Sequence, residues 1–229
     1  MPSREEAKQE RREQVLIAAR ELIRDTGKTG FSMRALAQRA GLSLVTPYNL
    51  FGSKQAIMYA LLDQDLLQFG QELSRSRQDP LGVLFRAVTL GMVYFSREPE
   101  FYRAVLFAVY TDGGTEYRSM FRGPRRAMWS QLVEDAVAGK FLRTDTDPEV
   151  FSTNLASIYF ANILEWVAGE TSLKEMEIRT HYGFGLALHG MARPGHRKRL
   201  EEEILRAQRR IKRLSKASGK NLKHAAQAT

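Results

Sequence analysis

The stretch FSMRALAQRAGLSLVTPYNLFGSKQAI, residues 31–57, decides how this chain is organised. Ser32 is a favourable N-cap for a first helix, and Gly41 stands where that helix must end with a positive φ. Ser43 can cap a second helix over residues 44–50. Two helices joined by a short glycine turn form either an ordinary helical hairpin or the helix-turn-helix that lays its second helix in the DNA major groove. The hairpin alone does not separate these alternatives.

Composition limits the class of protein. The 229 residues are 43% hydrophobic, enough for one medium domain or two small ones. There is no cysteine, which excludes disulfides, thiolate metal sites and a cysteine nucleophile. No apolar run approaches the roughly 18 residues that cross a bilayer, and the charged N-terminus lacks the apolar core of a signal peptide. The sequence therefore predicts a soluble cytoplasmic protein.

Charge is distributed unevenly along the chain, whose net charge is +9. Residues 1–60 carry 10 Lys/Arg against 6 Asp/Glu, and residues 193–229 carry 12 against 3. Residues 61–192 carry 13 against 17 and are net acidic. A basic end joined to a helix-turn-helix is the charge arrangement that a polyanion-binding protein needs.

Helical periodicity recurs through nearly the whole chain, so the predicted fold is all-α. Residues 1–12 are predicted to be a frayed arm or an exposed first turn, and a break is predicted at Gly123-Pro124. Further N-caps are predicted at Ser53, Asp147 and Ser172. The predicted divisions are a helix-turn-helix domain at 1–56 with a connecting helix at 53–72, a second helical domain at 73–192, and a basic helix and tail at 193–229 that is disordered from about Ser218.

Three segments between residues 14 and 62 carry a family resemblance: VLIAARELIRDTG, GFSMRALAQRAGLS and TPYNLFGSKQAIMYALL. They resemble the N-terminal DNA-binding domain of the TetR (tetracycline-repressor-type) family, with Tyr48 and Lys54 in register. The resemblance implies a three-helix DNA-binding domain followed by a helical ligand-binding and dimerisation domain. It implies a repressor that a small apolar effector releases from a palindromic operator. Pro47 departs from the pattern, because the family usually has an aliphatic residue there.

Side chains near the start of the second helix are the candidates for reading DNA. The predicted DNA-binding residues are Ser32, Arg34, Ser43, Leu44, Val45, Thr46, Tyr48, Asn49 and Lys54. Leu44 and Val45 can press on thymine methyl groups, or one of them can pack inward. Tyr48 matches the phosphate-contacting tyrosine of the family, or it is a core aromatic. The N-terminal bases either follow the DNA backbone or are solvated: Arg4, Lys8, Arg11 and Arg12.

Aromatic residues and methionine are frequent in the middle of the chain, where most belong to the core by their spacing. A pocket for an apolar small molecule is nevertheless predicted. Its candidate residues are Met92, Phe95, Phe107, Tyr110, Trp129, Tyr159, Asn162 and Trp166. Two nearly all-apolar helices, 148–167 and 172–189, are predicted to form a homodimer interface, with Gly183 and Gly185 leaving a small face. The alternative is that both are core helices of a monomer.

Other classes of function are less well supported. The sequence has no phosphate loop, metal-ligand spacing or catalytic triad, so neither an enzyme nor a cofactor is predicted. His181 and His189 are eight residues apart, too far for an i, i+4 metal pair. A helical protein that binds small molecules or nucleic acid without operator-specific regulation remains the alternative. The basic tail is a solvated helix, an additional DNA or RNA contact, or a membrane-surface helix.

Overall fold

A computed structural model describes residues 3–111 and 115–227, with side chains described for residues 3–109 and 123–215. The all-α prediction is confirmed, since the described residues form ten helices and only one isolated β-bridge, between Leu142 and Ala192. The helices are α1 (Arg4–Thr26), α2 (Met33–Arg39), α3 (Val45–Phe51), α4 (Lys54–Ser74), α5 (Pro80–Arg97), α6 (Pro99–Thr111), α7 (Thr115–Ala138), α8 (Pro148–Val167), α9 (Leu173–Met191) and α10 (Pro194–Gln227).

Of the two alternatives for residues 1–12, the structure has the exposed helical start and not the frayed arm, whereas the predictions for Gly123-Pro124 and for the chain after Ser218 are wrong. The chain is helical from Arg4 because Ser3 and Glu6 form a capping box, in which each side chain accepts a hydrogen bond from the other residue's backbone N–H. Helix α7 continues through Pro124, since a proline removes one backbone bond without necessarily ending a helix. Helix α10 continues past Ser218 to Gln227.

The chain divides into two compact units. Unit 1 comprises Met1–Glu72 and Tyr94–Arg125, and unit 2 comprises Leu73–Val93 and Arg126–Thr229. The division of functions made from the sequence stays a prediction.

Unit 1 is held together by an apolar core and a partly buried ionic cluster. The core residues that are almost fully buried include Val15, Ala19, Ile23, Leu36, Ile57, Leu61 and Phe101. The Arg20 guanidinium lies 2.6 Å from both Asp65 Oδ1 and Glu98 Oε2. The Tyr102 hydroxyl donates to Asp65 Oδ2 at 2.8 Å, and burial raises the pKa of Tyr102, so this donor keeps its proton. The cluster therefore links α1 of the helix-turn-helix to α4 and to the residues that begin α6.

Unit 2 packs α8, α9 and α10 closely. A Cβ atom on Gly183 would lie 2.7 Å from Ile158 Cγ2 of α8, and one on Gly185 would lie 2.8 Å from Ile204 Cγ1 of α10. The small face predicted to receive another helix is therefore filled from within the same chain. The glycines report intramolecular packing and give no support to a dimer.

Another part of the unit 2 interior is polar. The Thr89 hydroxyl donates to Glu177 Oε1 at 3.0 Å and lies 3.3 Å from His181 Nε2. Burial lowers the pKa of His181, so the imidazole favours its neutral form. The edge of this imidazole ring also meets the Phe85 ring, with 5.4 Å between centroids.

Candidate nucleic-acid interface

Helices α2 and α3 form a tight helix-turn-helix. The predicted cap of α2 is confirmed, because the Ser32 hydroxyl accepts a hydrogen bond from Ala35 N–H at 3.1 Å. Gly41 has φ +66°, and Leu42 N–H donates to the Ala37 carbonyl at 2.9 Å. This left-handed glycine and the bond across it close the end of α2 and turn the chain toward α3.

Helix α3 begins at Val45, one residue later than predicted, and the predicted Ser43 cap is wrong. In a helix starting at residue 44, the Ser43 carbonyl would accept from the N–H of Pro47, which proline lacks. That carbonyl accepts instead from Thr46 N–H at 3.0 Å. With Val45 as the first helical residue, Pro47 lies among the positions whose N–H groups have no helical partner, so it costs no backbone bond.

The outer face of α3 is apolar at its start and polar further on. Leu44, Val45 and Tyr48 are 42%, 59% and 48% exposed, and Asn49 is also exposed. Neither Leu44 nor Val45 packs inward, and Tyr48 is not a core aromatic. The buried residue of this helix is Pro47. The exposed set can touch thymine methyl groups, an adenine edge and a phosphate.

Lys54 is placed at the N-terminus of α4, the helix that follows α3 in the chain. It is the first residue of α4, and the Ser53 hydroxyl caps that helix by accepting from Ala56 N–H at 3.1 Å. The Lys54 ammonium lies 5.6 Å from the centre of the Phe31 ring. Free amides at a helix start and an adjacent ammonium together attract a phosphate group. Ser32 and Arg34, at the start of α2, are exposed as well.

Arg12 holds the other end of α3, a role that the sequence did not indicate. Its guanidinium donates to the Leu50 carbonyl at 2.6 Å and lies 4.2 Å from the centre of the Phe51 ring. The sequence alone predicts a DNA contact or a solvated charge for Arg12, as for the other N-terminal bases. The other members of that group, Arg4, Lys8 and Arg11, are exposed. Arg12 and Leu50 are 38 residues apart, so no local pattern could have joined them.

The comparison with known families decides the identity of this domain. Residues 15–61 match the family model of bacterial regulatory proteins of the tetR family. Residues 15–61 therefore form a DNA-binding domain of the tetR type. No curated protein sequence matches it.

Solved TetR structures share the fold of most of the chain. A TetR-family repressor from Thermus thermophilus, FadR with lauroyl-CoA, is 21% identical with a TM-score of 0.68, covering 80% of this chain and 95% of its own. A TetR regulator from Rhodococcus sp. RHA1 is 21% identical, with a TM-score of 0.65, and the match covers 79% of this chain and 97% of that protein. SmeT, the repressor of a Stenotrophomonas maltophilia multidrug efflux pump, is 20% identical, with a TM-score of 0.62 and coverage of 80% and 91%. At these identities the likeness establishes the fold.

The predicted effector residues are distributed over both units. Phe95 and Phe107 belong to unit 1, and the side chain of Tyr110 lies outside the described residues. The members in unit 2 are Met92, Trp129, Tyr159, Asn162 and Trp166.

Several of the unit 2 members are buried or make contacts within the same unit. Trp129 and Trp166 are each 1% exposed, and the edge of Trp129 meets the Tyr159 ring at 5.8 Å between centroids. The Asn162 amide donates to the Ile158 carbonyl of its own helix at 2.8 Å. These residues form core and helix contacts, and their role in binding an effector stays a prediction.

The described residues show neither a metal-binding cluster nor a helix that could span a membrane. They contain no group of three or more His, Cys, Asp or Glu side chains arranged to hold a metal ion. None of the helices in the described part of the chain combines the length and apolar character needed to cross a membrane.

Proposed function

We propose that this TetR-family protein is a transcriptional repressor rather than an enzyme, acting in the cytoplasm as a homodimer on a palindromic DNA operator. A small apolar effector releases it from that operator. The observation that carries the proposal is the exposed face of α3, where the side chains of Leu44, Val45, Tyr48 and Asn49 are all exposed. If α2 and α3 were an ordinary helical hairpin within a protein core, these apolar side chains would be buried.

The exposed side chains divide the work of DNA recognition. Contacts to phosphate set the position of the protein, and contacts to base edges give specificity. Tyr48 and Lys54 suit phosphate oxygens, because a phenol and an ammonium both donate hydrogen bonds. Asn49 suits adenine, to which an amide can make two hydrogen bonds.

A dimer is proposed because one helix-turn-helix reads only a few base pairs, whereas two can read half-sites separated by a helical turn. The proposed interface is formed by residues 148–167 and 172–189. Val150 and Leu164 of α8 are 70% and 40% exposed, and Leu186 of α9 is 49% exposed. Val150 and Leu164 are fourteen residues apart, about four helical turns, so they share one face of α8. Exposed apolar side chains on neighbouring helices favour burial against a second copy.

An apolar effector is proposed from the aromatic and methionine content of the chain and from its structural relatives. FadR from Thermus thermophilus was solved with lauroyl-CoA, and SmeT is a repressor. The effector acts by binding more tightly to the conformation that does not fit the operator, which shifts the population away from DNA.

The test begins with selection of bound sequences from random duplex DNA by the full chain. The selected operator is then titrated with Asn49→Ala and with the control Gln68→Ala, which removes an exposed amide elsewhere in unit 1. A bidentate amide–adenine pair contributes about 1–3 kcal/mol of discrimination. We therefore expect Asn49→Ala to weaken operator binding by about 5- to 150-fold per half-site. Gln68→Ala should bind like wild type.

Two results would contradict the proposal. One is that selection enriches no sequence, which would favour nucleic-acid association without an operator. The other is that Asn49→Ala and Gln68→Ala bind the selected DNA equally. For the effector, apolar compounds and acyl-CoAs, whose acyl chain is apolar, are screened for release of the bound operator. A complete lack of response across the screen would count against ligand control.

A further inference from the structure

Helix α10 uses one face to pack on α9. Leu200 and Ala207 are 1% and 5% exposed, and Ile204 lies against Gly185 of α9. Near the start of α10, Glu201 Oε1 lies 3.1 Å from His189 Nε2 of α9. The apolar side of this basic amphipathic helix is therefore occupied within unit 2.

The opposite side of α10 carries a dense group of positive charges, which we call the basic stripe. Its members are Arg206, Arg209, Arg210, Lys212 and Arg213, all exposed. At 3.6 residues per turn their mean direction is about 140° from that of Leu200 and Ala207. Among the described residues, the stripe makes one ion pair, from Arg206 to Glu203 at 2.9 Å. The other four members have no carboxylate partner in that part of the chain.

Helix stability does not account for the basic stripe. Cations stabilise a helix within its last turn, but Arg213 lies fourteen residues before Gln227, where α10 ends. Positive residues spaced three and four apart, such as Arg206 with Arg209 and Arg210, repel one another and destabilise a helix. The positive charges of the stripe therefore repel one another, and a bound polyanion would remove this repulsion.

We propose that the basic stripe binds the phosphate backbone of duplex DNA, as a sequence-independent contact separate from the helix-turn-helix. Four of its five members are arginine, whose planar guanidinium matches phosphate oxygens with two hydrogen bonds. A membrane-surface helix inserts an apolar face between lipids, and here that face is packed on α9. Leu205, at 51% exposed, is the one large apolar side chain described as exposed on α10.

The length of the stripe sets the expected size of the effect. From Arg206 to Arg213 it spans about 10 Å, at about 1.5 Å per helical residue. Phosphates of one DNA strand follow at about 3.4 Å along the duplex axis, so the stripe faces about three of them. Three contacts give a slope of about −2.7 in log K against log salt, and the stripe's contribution falls about 40-fold between about 50 and 200 mM salt.

The experiment uses the full chain with its helix-turn-helix disabled by Tyr48→Ala, Asn49→Ala and Lys54→Gln. In this background, the stripe variant replaces Arg209, Arg210, Lys212 and Arg213 by Gln. The control variant replaces four exposed bases of unit 2, Arg75, Arg77, Lys140 and Lys174, by Gln, so both lose the same charge. Glutamine is nearly as good a helix former as Lys and Arg, and circular dichroism checks that α10 stays folded.

Binding to a random-sequence duplex is measured across a salt series. We expect the disabled chain to bind this duplex. The stripe variant should bind at least about tenfold more weakly at about 50 mM salt, and its slope of log K against log salt should be smaller by about 2–3. The affinity of the control variant should change less than about twofold.

Three outcomes would overturn the proposal: no binding by the disabled chain, equal losses in both variants, or stripe-dependent binding to phosphatidylserine vesicles but not to DNA. Operator selection by the chain with an intact helix-turn-helix is scored separately, so failure of the repressor proposal is distinguishable from failure of this one.

Discussion

Replacing Gly183 by alanine tests how closely α8 and α9 pack. The added Cβ would lie 2.7 Å from Ile158 Cγ2, whereas non-bonded carbon atoms are normally about 3.5–4.0 Å apart. The Cγ2 methyl belongs to a β-branched side chain with one strongly preferred χ1 angle in a helix, so it cannot swing away easily. Relief of the overlap requires the two helices to separate by about 1 Å.

The matched control is Gly190→Ala on the same helix, where an added Cβ meets nothing within 4 Å. Both substitutions gain the helix propensity of alanine over glycine, about 0.5–1 kcal/mol. Only Gly183→Ala adds overpacking, which typically costs about 1–3 kcal/mol. The difference between the two variants therefore isolates the overlap with Ile158, and we expect Gly183→Ala to be less stable by about 1–3 kcal/mol.

Urea unfolding followed by circular dichroism, at one fixed protein concentration, measures both variants. Repeating Gly183→Ala in an Ile158→Ala background should abolish its cost, because the clashing methyl is then absent. Equal stability of Gly183→Ala and Gly190→Ala would refute this account of the packing. So would an unchanged cost of Gly183→Ala in the Ile158→Ala background, since the overlap would then lie elsewhere.

Two further substitutions address the end of α3 and the polar interior of unit 2. Arg12→Ala removes a hydrogen bond from a charged donor to the last turn of α3, so we expect the free energy of unfolding to fall by about 1.5–3 kcal/mol. We also expect weaker operator binding. The control Arg11→Ala removes an exposed arginine and should leave stability unchanged. Because burial lowers the pKa of His181 below its ordinary value of about 6.5, the unfolded chain binds more protons than the folded chain as pH falls below that value. Wild type should therefore lose stability between about pH 7.5 and 5.5, and His181→Gln should lose less over the same range, as measured by urea unfolding at each pH.

The features that the sequence predicted well depend on neighbouring residues. The hydroxyls of Ser32 and Ser172 and the Asp147 carboxylate each accept a hydrogen bond from the backbone three residues later, at 3.0–3.1 Å. A cap requires only one side chain and the adjacent backbone, so its signal is local and readable. The capping box of Ser3 and Glu6 is also a local sequence pattern, S-x-x-E, which indicates a helix start. The charged residues around it are equally typical of a frayed arm.

The features that the sequence could not predict join residues far apart in the chain. Arg20 pairs with Glu98, 78 residues away, and an arginine on α1 gives no indication of which carboxylate it will meet. The same holds for Gly183, whose small size is readable but whose neighbour, Ile158, is not. Periodicity identifies the face of a helix that is buried, whereas the identity of its partner depends on how the helices are arranged in space.

The shift of α3 by one residue changes which side chains can read DNA. The Ser43 and Thr46 hydroxyl oxygens lie 2.8 Å apart and satisfy one another. Among Ser43, Thr46 and Asn49, the hydrogen-bonding residues in and beside the first turns of α3, Asn49 is the one whose side chain makes no hydrogen bond to another described residue. If the proposed function holds, we expect base recognition to rely on Asn49, whose amide suits adenine, and on exposed Leu44 and Val45, which suit thymine methyl groups. We therefore expect the operators selected from random DNA to place A·T pairs at the core of each half-site, and selection of G·C pairs there would show that Ser43 and Thr46 separate to contact the bases.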